Sequence, residues 1–329
     1  MVEHLHASAS QSRGGTGRAV DAAGSKRALT VASPTDDTGA VEPTASPVSV
    51  VTLNGAPLAF QSFGTSGPVI ILVAGASSSM DWWDDAFCLL LAAGDPASGP
   101  RRVIRYDLRD TGQSETVPRG QARYTGSDLV DDLGALVEHL DAGPVHLVGL
   151  SMGGGLAQQL ALRRPGLLAT ITLMSTTPGS TAGELPPPTP ELSASFGIEV
   201  PETDWADAEA VGQAFIDVER QFSGTIRVDE ERIRRIAAQV RRRTDSPRSS
   251  ENHWAIADGD GMRADITAIR MPTLVVHGSH DPLFPLPHGE RLAQLIPGAR
   301  LVVVPGMGHQ NPPPPTWPQI VAALLEHTA

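Results

Sequence analysis

The chain has 329 residues, of which 40% are hydrophobic and 19% are charged, a composition typical of globular proteins with enough apolar material for a core. Acidic residues outnumber basic ones by 37 to 25, giving a net charge of −12 that repels nucleic acid phosphates and anionic membrane surfaces. These values exclude a collagen, a coiled coil and a wholly disordered chain, and they argue against a nucleic acid or membrane partner.

The first 47 residues are rich in Ser, Thr, Ala and Gly and show no periodic apolar pattern. Such a segment buries too little apolar surface to offset the entropy lost on ordering, so we predict a disordered tail over residues 1–47. Acidic residues such as Glu3 and Asp36 argue against a transit peptide, and the apolar stretch of a secretory signal is missing. We therefore expect a cytoplasmic protein.

From Val48 onward, short apolar runs alternate with longer helical patterns. Val48–Leu53 and Leu58–Phe63 flank Asn54-Gly55, a pair typical of tight hairpin turns because both residues accept positive φ angles. Six further strands are predicted at Val69–Val73, Arg102–Tyr106, Val145–Val148, Thr170–Met174, Thr273–His277 and Arg300–Val304. Helices are predicted at Trp82–Ala93, Asp128–Leu140, Met152–Arg164, Pro287–Leu295 and Thr316–Glu326. This alternation predicts an α/β protein with a mainly parallel eight-stranded sheet flanked by helices.

The alternation stops between residues 176 and 270. A proline-rich opening at 186–188 precedes helical patterns at Asp204–Arg220 and Asp229–Arg243, without an evident strand. We predict a helical cap inserted over residues 176–270 into a core formed by residues 48–175 and 271–329. The basic run Arg232–Arg243 could attract an acidic substrate, but a solvated helix face is the simpler interpretation. The aromatic residues of this segment are interpreted as cap packing, and none is predicted to bind substrate: Phe196, Trp205, Phe215, Phe222 and Trp254.

The clearest chemical signal is the pattern G-x-S-x-G around Ser151, which lies between a predicted strand and a predicted helix. Glycines at 149 and 153 leave room for a sharp turn that exposes the serine hydroxyl at the positive end of the helix. In this context the pattern indicates a nucleophile elbow.

A serine hydroxyl needs a histidine base and a carboxylate that orients this base. Asp281 follows the strand Thr273–His277 and His309 follows the strand Arg300–Val304, so both lie in loops at the carboxyl edge of the sheet, where reactive groups of open α/β sheets converge. We therefore predict Ser151, Asp281 and His309 as the catalytic residues.

His277 and His280 beside Asp281 resemble metal ligands, but side chains three apart on a strand end point to opposite faces. The single cysteine, Cys88, lies in the apolar run Phe87–Leu91 and is predicted to be buried. We predict neither a metal nor a cofactor.

The triad motifs resemble those of the α/β-hydrolase superfamily, whose members carry them in the same order of Ser, Asp and His. The run Arg105–Ser114 is similar to the R-Y-D-x-R-D-T-G-x-S stretch of aclacinomycin methylesterase-like serine esterases. The resemblance covers roughly Val51–His309 and is weakest in the cap. It implies a serine hydrolase that cleaves a carboxylic ester through an acyl-enzyme, with a small-molecule ester as its partner, such as a polyketide or another hydrophobic methyl ester.

The fold also implies an oxyanion hole formed by two backbone N–H groups. Met152 directly follows the nucleophile, and Ala76 lies in the loop after the strand Val69–Val73, so these are the predicted donors. Ala74 departs from the pattern, because many hydrolases have histidine at this position.

Three alternatives stay open from sequence. A cofactor-free perhydrolase or haloperoxidase and a lactonase would use the same triad, and a ligand receptor can retain a hydrolase fold. Serine at the elbow excludes a haloalkane dehalogenase or epoxide hydrolase, which need aspartate there. The acyl group, the leaving alcohol and the oligomeric state are not predicted.

Overall fold

A computed structural model describes residues 43–179, 183–198, 201–259 and 265–329. Its eight strands are β1 (Ser49–Leu53), β2 (Ala56–Phe63), β3 (Val69–Val73), β4 (Arg102–Tyr106), β5 (Val145–Leu150), β6 (Leu168–Met174), β7 (Thr273–Gly278) and β8 (Arg300–Val304). They form a sheet in the order β1-β2-β4-β3-β5-β6-β7-β8. The pairs β1–β2 and β2–β4 are antiparallel and the other neighbours are parallel. The predicted mainly parallel eight-stranded sheet is confirmed.

The helices in the described ranges are α1 (Asp85–Ala93), α2 (Gly126–Leu140), α3 (Met152–Arg163), α4 (Pro190–Ser195), α5 (Ala208–Phe222), α6 (Glu230–Arg243), α7 (Pro287–Leu295) and α8 (Trp317–His327). In these ranges, no helix is both long and apolar enough to cross a bilayer.

The helices cover both faces of the sheet, as β3 shows. Its residues Val69, Ile71 and Val73 pack in one apolar cluster with α2, α3 and α7, whereas Ile70 and Leu72 pack in another with α1 and α8. Successive strand residues point to opposite faces, so a strand covered on both sides is continuously apolar. Cys88 lies in the second cluster, and burial raises the pKa of its thiol to about 12, so the prediction of a buried cysteine is confirmed.

The hairpin turn is confirmed, with φ angles of 47° at Asn54 and 78° at Gly55. The boundary predicted for the tail, at residue 47, is wrong. The Ser46 N–H donates to the Ser62 carbonyl at 2.8 Å and the Gly64 N–H donates to the Thr44 carbonyl at 3.1 Å. Composition does not reveal this boundary, because residues 44–46 gain order from hydrogen bonds to the end of β2. Residues 1–42, the rest of the predicted tail, lie outside the described residues.

Between β6 and β7 the described residues hold α4, α5, α6 and a 3-10 helix at Ser249–Trp254, and no strand. We call residues 183–259 the cap. Both predicted cap helices are present, with starts later than expected, and they share an apolar cluster of Ile216, Ile233, Ile236 and Val240. The prediction missed α4, because this six-residue helix begins with a Thr189 cap and a proline rather than with an apolar period.

The interpretation of the basic run in α6 as a solvated face is wrong for two of its arginines. Arg232 contacts Asp84 at 2.6 Å, and Arg243 pairs with Asp81 and Asp107, whose side chains are 3% and 0% exposed. Burial raises the pKa of Asp107 to about 6 although Arg243 opposes this shift. Asp107 is therefore ionised at neutral pH, and buried ion pairs join the cap to the core.

We predict that Arg243→Gln lowers the free energy of unfolding by about 3–5 kcal/mol, because it leaves two buried carboxylates without their cation. The matched control is Arg235→Gln in the same helix, since Arg235 makes an exposed pair with Glu231 at 3.1 Å. This control should cost no more than about 0.5 kcal/mol. Urea titrations followed by circular dichroism measure both values, and equal losses would contradict a role of Arg243 in joining cap and core.

Candidate active site

Ser151 lies at a sharp turn between β5 and α3. Its φ and ψ angles are 51° and −116°, a conformation that costs a residue with a side chain about 1–3 kcal/mol. The turn also needs glycine nearby, because a Cβ on Gly149 would lie 2.2 Å from the Gly153 carbonyl oxygen and one on Gly153 would lie 2.6 Å from the Ala74 carbonyl oxygen. The predicted elbow geometry is therefore present.

The structure brings the three predicted catalytic side chains together. Ser151 Oγ lies 2.9 Å from His309 Nε2, and His309 Nδ1 lies 2.9 Å from Asp281 Oδ2. A carboxylate only accepts hydrogen bonds, so Nδ1 carries the imidazole proton and Nε2 accepts from the serine hydroxyl. This arrangement allows His309 to take the proton of Ser151.

Asp281 is buried and firmly held. Its Oδ1 accepts from the N–H groups of Leu283 and Phe284 at 2.9 and 2.8 Å. His277, fully buried at the end of β7, donates from Nε2 to the Phe284 carbonyl at 2.7 Å and lies 3.7 Å from Asp281 Oδ2. Burial lowers the pKa of His277, so the ring is neutral at neutral pH and supports the Asp281 loop.

His280, the second histidine that resembled a metal ligand, lies in the loop with its Nδ1 2.8 Å from Ser279 Oγ. In the described ranges, no cluster of three or more His, Cys, Asp or Glu side chains is arranged to hold a metal ion.

Both predicted oxyanion donors lie beside the nucleophile. Met152 is the first residue of α3, and a Cβ on Gly75, next to Ala76, would lie 3.3 Å from the Ser151 Cβ. Within the described ranges the N–H groups of Ala76 and Met152 donate to no protein acceptor. Both are free to bind a negative oxygen formed at Ser151.

A cavity of about 400 Å³ opens onto Ser151 and His309. Its walls include Trp82 from the core. They also include four of the five cap aromatics that were interpreted as packing: Trp205, Phe215, Phe222 and Trp254. Trp82 and Phe215 stack with ring centroids 5.5 Å apart. The fifth, Phe196, is 59% exposed. Trp205 and Phe215 therefore pack together and also line the cavity, which their spacing along the chain does not reveal.

A second cavity of about 540 Å³ meets the first at the nucleophile, because both are lined by Ala76, Ser151, Trp254 and Leu283. Two cavities therefore border the serine.

The motif from Asp107 to Ser114 supports the oxyanion loop, the segment from Ala74 to Met80. Asp107 accepts from the Met80 N–H at 2.8 Å and from the Gln113 N–H at 3.0 Å. Asp110 accepts from the Tyr124 hydroxyl at 2.6 Å. From sequence this motif indicates only a family resemblance, because the contact from Asp107 to Met80 in the oxyanion loop spans 27 residues of the chain.

Comparison with known proteins gives a consistent result. A family model described as alpha/beta hydrolase fold matches residues 67–311. The chain is 29% identical over 289 residues to the rhodomycin D methylesterase DnrP of Streptomyces peucetius, covering 79% of this chain and 90% of that protein. It is 26% identical to a putative non-heme bromoperoxidase, BpoC, of Mycobacterium tuberculosis, covering 77% and 90%. The structure of an enol-lactonase from Burkholderia xenovorans LB400 superposes with a TM-score of 0.62 at 25% identity, covering 85% and 99%.

We predict that Gly149→Ala disrupts the elbow and lowers ester hydrolysis by at least about 10²-fold, because its methyl group would overlap the backbone at Gly153. The matched control is Gly155→Ala in the same segment, where nothing lies within 4 Å of the new Cβ. Alanine has a higher helix propensity than glycine, so the Gly155→Ala variant should melt at or above the melting temperature of the wild-type protein. A Gly149→Ala enzyme with wild-type turnover would contradict the steric requirement.

Proposed function

The chain belongs to the alpha/beta hydrolase fold family, and we propose that it is a carboxylic ester hydrolase that acts through an acyl-enzyme on Ser151. The observation that carries this proposal is the continuous hydrogen-bonded chain from Ser151 through His309 to Asp281, with both contacts at 2.9 Å. The similarity to rhodomycin D methylesterases supports the same reaction class.

In the proposed mechanism, Ser151 Oγ attacks the ester carbonyl while His309 Nε2 takes its proton. The N–H groups of Ala76 and Met152 stabilise the tetrahedral oxyanion, and His309 then protonates the leaving alcohol. Water attacks the acyl-enzyme with His309 as base, and the acid is released with Ser151 restored. Asp281 holds the imidazole in the required tautomer and stabilises its charged form.

The cavity supports a substrate with a large apolar portion. Five aromatic rings and aliphatic side chains such as Val218 and Val240 line a volume of about 400 Å³, within the range of small-molecule sites. We propose a hydrophobic ester, with the methyl ester of a polyketide-like acid as the first substrate class to test. A polar feature of this wall is Glu219, which accepts from Gln310 Nε2 at 2.7 Å.

Two further activities have specific support. The similarity to BpoC favours perhydrolysis, in which hydrogen peroxide replaces water at the acyl-enzyme and a peracid leaves. The likeness to the enol-lactonase favours a cyclic ester as substrate. Both activities use the same acyl-enzyme. Comparing the rates for methyl esters, for lactones, and for esters with added hydrogen peroxide therefore ranks ester hydrolysis, lactone hydrolysis and perhydrolysis.

We predict that Ser151→Ala and His309→Ala each lower turnover about 10⁴ to 10⁶-fold, and that Asp281→Asn lowers turnover by a somewhat smaller factor. The effects should not add, because the nucleophile and the base act as a unit. The double variant Ser151→Ala/His309→Ala should be about as inactive as either single variant, as measured with p-nitrophenyl esters.

A fluorophosphonate probe locates the nucleophile independently of turnover. It should label the wild-type protein at Ser151 and leave Ser151→Ala unlabelled. Labelling at any other serine, or near-normal hydrolysis by Ser151→Ala, would overturn the proposed mechanism.

The aromatic wall gives a separate prediction about selectivity. Phe215→Ala removes a ring that stacks on Trp82, so it should raise KM for large apolar esters about tenfold or more while changing that for p-nitrophenyl acetate far less. Phe196→Ala is the control, because Phe196 is exposed and is not among the residues that line the cavity. Equal effects of Phe215→Ala on both ester sizes would show that the wall does not bind the acyl or alcohol portion.

A further inference from the structure

The oxyanion loop contains a residue in an unfavourable backbone conformation next to the proposed donor Ala76. Ser77 has a φ angle of 59°, in the left-handed region that residues with a Cβ rarely adopt. This conformation is energetically unfavourable for serine, so contacts from outside the loop are needed to hold it.

Those contacts come from the 3-10 helix of the cap, Ser249–Trp254. The Ser77 N–H donates to His253 Nδ1 at 3.0 Å, and Ser77 Oγ donates to the Ser250 carbonyl at 2.8 Å. Trp254 Nε1 donates to Ser77 Oγ at 2.9 Å. Three hydrogen bonds from one cap element thus converge on the residue that follows Ala76.

The partners of His253 fix its tautomer. A backbone N–H only donates, so Nδ1 must be unprotonated, and Nε2 carries the proton that it donates to the Arg109 carbonyl at 2.7 Å. Burial lowers the pKa of His253, while the nearby Asp110 carboxylate acts in the opposite direction. The neutral ring therefore bridges two loops of the core at neutral pH.

The 3-10 helix is itself fixed to the core. Asn252 Nδ2 donates to Asp110 Oδ2 at 2.9 Å, and Ser249 Oγ donates to the Asp110 carbonyl at 2.9 Å. Ser249 and Asn252 are 0% and 1% exposed. This element is thus a rigid support for Ser77.

We propose that His253 is a positioning residue for the oxyanion hole. By accepting the Ser77 N–H it fixes the Ala76–Ser77 peptide, and this limits rotation of the adjoining Gly75–Ala76 peptide, whose N–H is the proposed oxyanion donor. The inference rests on the proposed ester hydrolysis. Without the acceptor, the Ala76–Ser77 peptide can rotate and the adjoining Gly75–Ala76 peptide is no longer held, so the Ala76 N–H is less well aimed. The loss therefore falls on the transition state rather than on substrate binding.

Two substitutions separate the two hydrogen bonds of the ring. In His253→Asn, the amide oxygen takes the place of Nδ1 and accepts from Ser77, whereas in His253→Gln the terminal amide nitrogen takes the place of Nε2 and donates only to Arg109. We expect His253→Gln to lower kcat about 10²-fold with KM changed less than about twofold, as for loss of an oxyanion donor. His253→Asn should retain at least about tenfold more kcat than His253→Gln.

Affinity for a trifluoromethyl ketone, which forms a tetrahedral adduct with serine, should fall in parallel with kcat for both variants. His327→Gln is the matched control, since His327 Nε2 also donates to a backbone carbonyl, that of Ile171 at 3.1 Å, away from the site. Its kcat should equal that of the wild-type enzyme. Equal losses of kcat in His253→Asn and His253→Gln, or a higher KM with unchanged kcat, would overturn the proposal.

If neither His253 variant folds, replacing Ser77 by its α-hydroxy acid analogue decides the question, because the ester oxygen that takes the place of the N–H cannot donate to His253 while both side chains stay unchanged. Unchanged kcat and ketone affinity in this variant would contradict the proposal, and a loss of about tenfold or more in both would support it. Absence of Ser151-dependent ester hydrolysis in the wild-type protein would instead overturn the proposed function, so the two failures are distinguishable.

Discussion

The backbone of Ser151 is the constraint on which the site depends. Its positive φ angle is maintained by hydrogen bonds on both sides: the Ser151 N–H donates to the Met174 carbonyl at 2.9 Å, and Thr176 Oγ1 donates to the Ser151 carbonyl at 2.8 Å. The end of β6 thus holds the turn that β5 and α3 create. The glycines at 149 and 153 are consequences of this turn, because any larger residue would meet backbone atoms. A serine held here directs its hydroxyl at His309 without the entropy cost of ordering a mobile side chain.

Specific polar contacts also fix the cap on the core. Polar contacts join cap and core at buried positions: Arg243 with Asp81 and Asp107, Asn252 with Asp110, and His253 with both Ser77 and the Arg109 carbonyl. Buried charges and polar groups are costly unless each finds its partner, so they define one arrangement of the interface more sharply than apolar packing does. The cap therefore closes the cavity and also holds the loop that carries the proposed donor Ala76. We therefore propose that the cap acts on the chemistry as well as on selectivity.

Much of the fold could be predicted from sequence, because strands covered on both faces are continuously apolar and the helices between them follow their own period. Ser151, Asp281 and His309 could be predicted for a related reason, since each follows a strand whose carboxyl end faces one edge of the sheet. The partners of Arg243 and His253 could not be predicted, because they lie more than a hundred residues away and no local pattern links them. The same holds for Trp82, which lies in the cavity wall and stacks on Phe215 of the cap.

A crystal structure of the protein after reaction with a phosphonate ester tests the central claim most directly. The phosphonate mimics the tetrahedral intermediate, so its position reports the nucleophile and the oxyanion donors together. We predict phosphorus bonded to Ser151 Oγ, with the phosphoryl oxygen about 3 Å from the N–H groups of both Ala76 and Met152. An adduct on another residue, or a phosphoryl oxygen directed away from these two groups, would contradict the account.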